Sequence, residues 1–301
     1  MGISRRPISI PHALCLALSL LLVISGCSTA TTTESAPPAT MGLARAHAHN
    51  DYEHERPLLD ALSHGFTSVE ADVWLSDGDL LVAHDNAETT PDRTLRSLYL
   101  DPLSELASQR DGVIFPEGPD TMTLLVDVKS DADPTFEALE DQLAEYENLV
   151  TTFGPHGVEI GAVTVVVSGN RSETLLEVDA SLHAAYDGRL DNLDTPVSGR
   201  VPLISHNWTE VFSWSGTGET PTDEQDELSE IVASAHEAGR RVRFWNTPER
   251  EDLWGELVAA GVDMINTDRL AELEEFLLES DPEPATPPLT PWPWSSAGGP
   301  W

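Results

Sequence analysis

The chain alternates short apolar runs with longer stretches in which apolar residues recur every three or four positions. The first kind reads as buried strand and the second as amphipathic helix. Strands are predicted at 43–46, 67–74, 124–128, 163–167, 184–186, 201–205, 242–245 and 264–266. Helices are predicted at 57–64, 102–109, 135–146, 172–178, 223–238, 250–260 and 271–279. Gly65, Gly239 and Gly261 fall where a helix must stop before the next strand, as C-terminal caps do. Eight strands alternating with helices, and no second core, predict an α/β chain folded as a (β/α)8 TIM barrel rather than an open doubly wound sheet. The segment concerned, 42–280, is close to the roughly 250 residues typical of that fold.

The most informative stretch is Ser-Val-Glu-Ala-Asp-Val-Trp at 68–74, followed by an Asp77-Gly78 turn and a short return strand ending at His84. Strand alternation throws Glu70 and Asp72 to one side. Two converging carboxylates are costly unless positive charge sits between them, and a divalent cation with oxygen ligands supplies it. The third strand, Thr-Leu-Leu-Val-Asp-Val-Lys at 123–129, places Asp127 and Lys129 on one face. Glu70, Asp72 and Asp127 form an oxygen-rich trio suited to a hard cation, Mg2+ or Ca2+. In barrels, chemistry collects at the C-terminal strand ends. Polar residues recur at those ends here: His47, His49 and Asn50 after the first strand, then Ser168, His206, Asn246 and Asp268.

Charge narrows the partners. Lys and Arg total 16 against 52 Asp and Glu, a net charge of -36, which argues against a nucleic-acid partner. An acidic surface should also repel anionic lipids, so a zwitterionic or soluble substrate is expected. Lys129 is the sole lysine; every other basic residue is Arg. A lysine in an apolar strand is expensive without partners, and it delivers a compact point charge that Arg does not. The plainer account is an ion pair with Asp127 or Glu70. His47 and His49 also have two readings, as direct metal ligands of a metallohydrolase barrel or as proton-transfer groups.

The N-terminus reads as a targeting segment. Arg5 and Arg6 precede an apolar run at 13–25, too short to span a bilayer comfortably, and Ile-Ser-Gly leads into Cys27. This predicts a lipoprotein signal over 1–27, with Cys27 lipidated and the protein exported, membrane-anchored and facing outward. An ordinary secretory signal is the alternative. Cys15 is the other cysteine, so the folded part has neither disulfide nor thiol chemistry. Residues 28–41 read as a flexible tether and 281–301 as a disordered tail rich in Pro and Trp. A monomer is expected.

Taken in order, His, Glu-x-Asp, Asp-Gly with a His, and Asp-x-Lys resemble the glycerophosphodiester phosphodiesterase and phosphatidylinositol phospholipase C-like superfamily. Asp127-Val-Lys129 is similar to its sphingomyelinase D branch. The opening His-Ala-His-Asn-Asp-Tyr at 47–52, the run 69–75, Arg-Thr-Leu at 93–95, Leu-Tyr-Leu-Asp-Pro at 98–102 and Phe244-Trp245 look most like its altered-inheritance-of-mitochondria protein six group. The resemblance spans roughly residues 44–275. It implies cation ligation by Glu70, Asp72 and Asp127, a catalytic His84, a phosphate-facing Lys129, and Asn50 and Trp245 near substrate. The other catalytic histidine is His47 if Asn50 matches the family's His-x-x-Asn, which is the preferred alignment, and His49 if the spacing to Glu70 governs. The Pro-Glu-Asn-Thr segment of ordinary glycerophosphodiesterases is missing, so that particular substrate is not implied. The expected function is a cation-dependent phosphodiesterase acting on a glycerophosphodiester or phospholipid headgroup by histidine acid–base catalysis. The alternatives are a His-x-His metallohydrolase of phosphomonoesters or amides, and an inactive lipoprotein binding module.

Overall fold

A computed structural model describes residue 2 and residues 39–281, apart from 156, 174–175, 177–179 and 196–198. Gly2 aside, the expected signal over 1–27, the tether up to residue 38 and the tail from 282 lie outside the described residues.

Parallel strands covered on both faces are rich in apolar residues, and this chain's barrel strands are buried along most of their length, with charged and polar side chains set among the apolar ones. The described strands are β1 (Leu43–Ala48), β2 (Phe66–Ser76), β3 (Asp79–Val82), β4 (Met122–Val128), β5 (Thr152–Gly154), β6 (Gly157–Glu159), β7 (Val163–Gly169), β8 (Ala184–Gly188), β9 (Leu203–Asn207), β10 (Arg241–Trp245) and β11 (Met264–Thr267). Pairing runs β1-β2-β4-β7-β8-β9-β10-β11 and back to β1, parallel at every step. The sheet therefore closes on itself and leaves no barrel edge. This is the predicted TIM barrel, and all eight predicted strands form its wall. β3 lies outside the wall, antiparallel to β2, joined through Asp77 (φ 51) and Gly78 (φ 93). Two consecutive positive φ values give the two-residue turn that suits strand twist.

The helices are α1 (Leu59–Ser63), α2 (Asp101–Gln109), α3 (Ala132–Leu143), α4 (Trp208–Val211), α5 (Thr222–Glu237), α6 (Glu251–Ala260) and α7 (Leu270–Ser280). Gly65, Gly239 and Gly261 take positive φ where α1, α5 and α6 end, as predicted. The predicted helix at 172–178 falls largely on residues outside the description. Three features had no periodic signal: the short β5–β6 hairpin, the single-turn α4, and a π-helical turn at Arg96–Leu100 leading into α2. Each is too brief for an apolar pattern to repeat.

The main core lies between wall and helices, where Val69, Val126, Val165 and Ile265 meet Leu139, Leu228, Trp254 and Leu273. Inside the barrel a smaller plug holds Leu125, Val166, Ala185, Leu203 and Met264. Each such side chain removed from water contributes about 1.5–3 kcal/mol when large. Two residues further along the same strands, on the same face, the chain turns polar: Asp127, Ser168, Asp187, Ser205 and Asn266. The site stands on that apolar plug.

Candidate active site

Glu70, Asp72 and Asp127 bring carboxylate oxygens within 4.8 Å of one another at the C-terminal mouth. Register explains it. β2 and β4 pair Asp72 with Asp127, while Glu70 lies one inward position below Asp72. β7 makes room. Gly169 has φ +66, and a Cβ there would lie 2.2 Å from Asp127 Oδ1.

Three positive or donor groups converge on Asp72 Oδ2: the Tyr52 hydroxyl at 2.8 Å, Lys129 Nζ at 3.1 Å and His84 Nδ1 at 3.2 Å. Lys129 also lies 3.0 Å from Asp127 Oδ1. Tyr52 oxygen and His84 Nδ1 are 3.2 Å apart. Tyr52 is fixed from behind. Asn50 turns the chain with a left-handed backbone, Arg93 donates to the Tyr52 carbonyl at 2.6 Å, and buried Asp51 accepts from Leu58 N and Tyr99.

Beneath the trio sits an arginine that the sequence pattern had not singled out. Arg243, buried on β10, donates to Glu70 Oε2 at 2.7 Å and to Asn266 Oδ1 through both Nε and Nη2. The available signal was Arg-Val-Arg at 241–243, charges alternating inside an apolar strand. That pattern is the one that marked Lys129.

The two candidate histidines of the first strand separate by depth. His47 is fully buried, with Nδ1 2.7 Å from Ser68 Oγ and Nε2 3.4 Å from Glu70 Oε2. His49, two residues toward the mouth, is 32% exposed and puts Nδ1 2.7 Å from Asp268 Oδ1. Half-buried Trp245 ends β10 opposite Asn207, around the rim from the trio. Asn246, left-handed just beyond it, donates to Asn207 Oδ1 at 3.1 Å. His206 pairs loosely with Glu210 at 3.6 Å on that rim and does not join His47 and His49.

Electrostatics follow from these neighbours. Burial and then Arg243 push His47 down to about 3, which keeps it neutral. Burial works against His49, yet Asp268 and Glu70 raise it above the ordinary histidine value. Burial alone would raise Glu70, but Arg243 and His47 hold it well below the usual carboxylate range. Burial pushes Asp72 up to about 6; Lys129 pulls it down while Glu70 and Asp127 add to the push. Asp127 is raised by burial and Glu70. Lys129 is raised because Asp127 and Asp72 outweigh its own burial.

Without further positive charge, then, burial and the neighbouring carboxylates oppose the ionisation of Asp72 and Asp127. Asp72 Oδ1 is buried and has no hydrogen-bond partner among the described residues. A buried anionic oxygen with no donor fits a hard cation. Among the described residues this trio is the one group of three or more close potential ligands, and it contains no histidine. The donor set is all oxygen, which suits Mg2+ or Ca2+ and does not suit a His-x-His zinc centre.

The model of the AIM6-like phosphodiesterase domain matches residues 40–185, and that of the glycerophosphoryl diester phosphodiesterase family matches 241–271. These matches make the chain similar to the AIM6-like group of the glycerophosphodiester phosphodiesterase-like superfamily. The first match carries Glu70, Asp72, His84, Asp127 and Lys129, and the second carries Arg243 and Asp268. Altered inheritance of mitochondria protein 6 of Eremothecium gossypii is 29% identical over 78% of this chain and 69% of its own length. The homologue from Arthroderma benhamiae is 29% identical over 74% of this chain and 80% of its own. The Saccharomyces cerevisiae protein is 27% identical over 74% and 68%. Their names state no reaction. A glycerophosphodiester phosphodiesterase structure from Parabacteroides distasonis aligns over 81% of this chain and 100% of that one, with TM-score 0.48 and 16% identity. The barrel closure rests on the strand pairing here, not on that likeness.

Proposed function

We propose that this AIM6-like protein is a divalent-cation-dependent phosphodiesterase that transfers protons through His84 and His49. The observation that carries the reading is the convergence of Lys129, Tyr52 and His84 on Asp72, beside two further carboxylates. Glu70, Asp72 and Asp127 would hold the cation, which when bound supplies charge neutralisation for the phosphate oxygens. Lys129 is the chain's own cation at that place, and its charge is kept by the carboxylates around it. As the phosphorus gains its fifth oxygen, negative charge builds on the equatorial oxygens, and a fixed ammonium stabilises that state more than the ground state.

Proton transfer needs two groups with access. His84 is half exposed with Nδ1 engaged, leaving Nε2 toward the mouth. His49 has the same arrangement, Nδ1 on Asp268 and the ring partly exposed. A carboxylate behind one ring nitrogen orients each ring, and at His49 burial is outweighed by Asp268 and Glu70, which favour the protonated ring. His49 therefore suits the acid that protonates the leaving oxygen, and His84 the base that takes the proton of the attacking hydroxyl. The bond from phosphorus to the attacking oxygen forms, and the bond to the leaving alcohol breaks. Attack by water gives a monoester, and attack by a neighbouring substrate hydroxyl gives a cyclic phosphate. His47, buried and neutral, supports Glu70 from below. The acidic surface favours a zwitterionic or soluble phosphodiester, and the Cys27 segment an exported, lipid-anchored enzyme.

The test is hydrolysis of bis(p-nitrophenyl) phosphate in EDTA and after adding back Mg2+, Ca2+ or Zn2+, with Lys129→Ala and His84→Ala alongside. Loss in EDTA, rescue by Mg2+ or Ca2+ and loss in both variants is the expected pattern. Rescue by Zn2+ alone, with Lys129→Ala fully active, would replace this reading with a metallohydrolase.

A further inference from the structure

We infer that Tyr52 is a positioning residue that divides Asp72 between two tasks. Its hydroxyl secures Oδ2 together with His84 and leaves Oδ1 as the oxygen for a cation. The inference rests on reading Glu70, Asp72 and Asp127 as a cation site.

The reasoning starts from why a tyrosine stands there. Tyr52 is 4% exposed, in a place where phenylalanine would fill nearly the same volume. A buried hydroxyl costs free energy unless it is hydrogen-bonded, so its presence calls for partners. It has two, Asp72 Oδ2 at 2.8 Å and His84 Nδ1 at 3.2 Å. A carboxylate oxygen can only accept, so the single phenolic proton is committed to Asp72. The tyrosine oxygen then faces His84 with a lone pair, and His84 must answer with a proton on Nδ1. Asp72 Oδ2, 3.2 Å from the same nitrogen, makes the same demand. Both neighbours fix one tautomer, Nδ1–H, with Nε2 free at the mouth.

The same bond limits what Asp72 can do. Oδ2 already accepts from Tyr52, His84 and Lys129, whereas Oδ1 is buried with no hydrogen-bond partner among the described residues. A partial rotation of the carboxylate would swing its unpartnered oxygen away from Glu70 and Asp127, and the rigid phenol bonded to the other oxygen opposes it. Tyr52 cannot yield easily, because its carbonyl is held by Arg93 and its neighbour Asp51 by Leu58 N and Tyr99. The buried turn thus carries order from the loop after β1 into the ligand set and the proton-transfer histidine together. Partners behind a ligand commonly change metal affinity or activity about 10–100-fold when removed.

The test pairs the wild type with Tyr52→Phe. In 15N-labelled wild type near neutral pH, the His84 ring signals, identified by their absence in His84→Gln, should report the neutral Nδ1–H form or the doubly protonated ring. A neutral Nε2–H form would overturn the inference without any variant. Calorimetric Mg2+ titration should show binding about 10-fold weaker in Tyr52→Phe. Turnover of bis(p-nitrophenyl) phosphate at saturating Mg2+ should fall in kcat by about 10–100-fold with KM within about twofold. Equal Mg2+ affinity and equal kcat in the two proteins would overturn it. If the wild type turns over no phosphodiester at all, the functional proposal fails, while the tautomer and the Mg2+ titration still decide this one.

Discussion

Arg243 Nη2 lies 2.7 Å from Glu70 Oε2, so β10 reaches across the barrel interior to hold a carboxylate of β2. Both side chains are almost wholly buried. A buried pair of this kind contributes little beyond an apolar pair of the same shape, but removing one partner strands the other charge. Arg243→Met should cost about 3–5 kcal/mol in urea unfolding. Glu70→Gln in the same background should recover part of that loss. If Arg243→Met unfolds at the wild-type midpoint, the pairing is not what orders the barrel floor.

Gly169 offers a steric test of the same floor. Its φ of +66 disfavours any side chain, and its Cβ would collide with Asp127 Oδ1 at 2.2 Å and Val128 O at 2.5 Å. Gly169→Ala should destabilise by at least about 1–3 kcal/mol from backbone strain alone and should abolish Mg2+-dependent stabilisation. Gly255, inside α6, is the control, because a methyl group placed there would meet nothing within 4 Å. Gly255→Ala should stabilise by roughly 0.5–1 kcal/mol and leave the Mg2+ response unchanged.

Most of this architecture was readable from sequence, for a physical reason. Strands buried on both faces become apolar runs, so Asp127 and Lys129 inside such a run stood out, as did Glu70 and Asp72. The misses share a cause as well. Arg243 sits beside Arg241 in plain view, but its meaning depends on which strand faces it across the barrel. Tyr52 lies in a loop whose path is set by Arg93, Tyr99 and Leu58, none adjacent in sequence. The choice between His47 and His49 depends on depth, and strand alternation puts both on the same face.

Depth makes the two histidines separable by experiment. His49→Gln should lower kcat by about 10^2–10^4-fold, the usual contribution of a general acid or base. It should also flatten the alkaline limb of the pH–rate profile. The sign follows from its raised pKa: the acid is lost as pH climbs through that value. His47→Gln should instead weaken Mg2+ binding and lower the unfolding midpoint, with both limbs retained. A profile that loses its alkaline limb in His47→Gln and keeps it in His49→Gln would exchange the roles.

Lys129 should reveal itself by opposite effects on catalysis and cation binding. It faces Asp72 and Asp127 at 3.1 and 3.0 Å, so its removal leaves like charges facing each other. Lys129→Met should lower turnover by about 10^2–10^3-fold, as losing a transition-state charge partner does. The cation-free protein should melt earlier than wild type, and added Mg2+ should raise its midpoint by more than it raises the wild type's. A smaller Mg2+ response in the variant would mean that Lys129 helps to hold the cation site rather than competing with it.

Asp51 gives the fold a pH dependence that is separate from the cation. Its Oδ2 accepts from Leu58 N at 2.5 Å and the Tyr99 hydroxyl at 2.9 Å, yet burial pushes the carboxyl from 3.8 up to about 7. Between those values the folded protein holds a proton that the unfolded chain has released. Stability then falls as pH rises, because the folded state binds more protons. The contribution is full below the unfolded value and disappears as pH climbs through about 7. Asp51→Asn, which cannot ionise, should lack this slope. Urea midpoints of the two proteins from about pH 4 to 8 at saturating Mg2+, a window that brackets the titration, should therefore differ most at the acid end, with wild type relatively favoured there. A difference that instead grows toward the alkaline end in favour of wild type would show that the carboxylate, not the acid, is the form the turn holds.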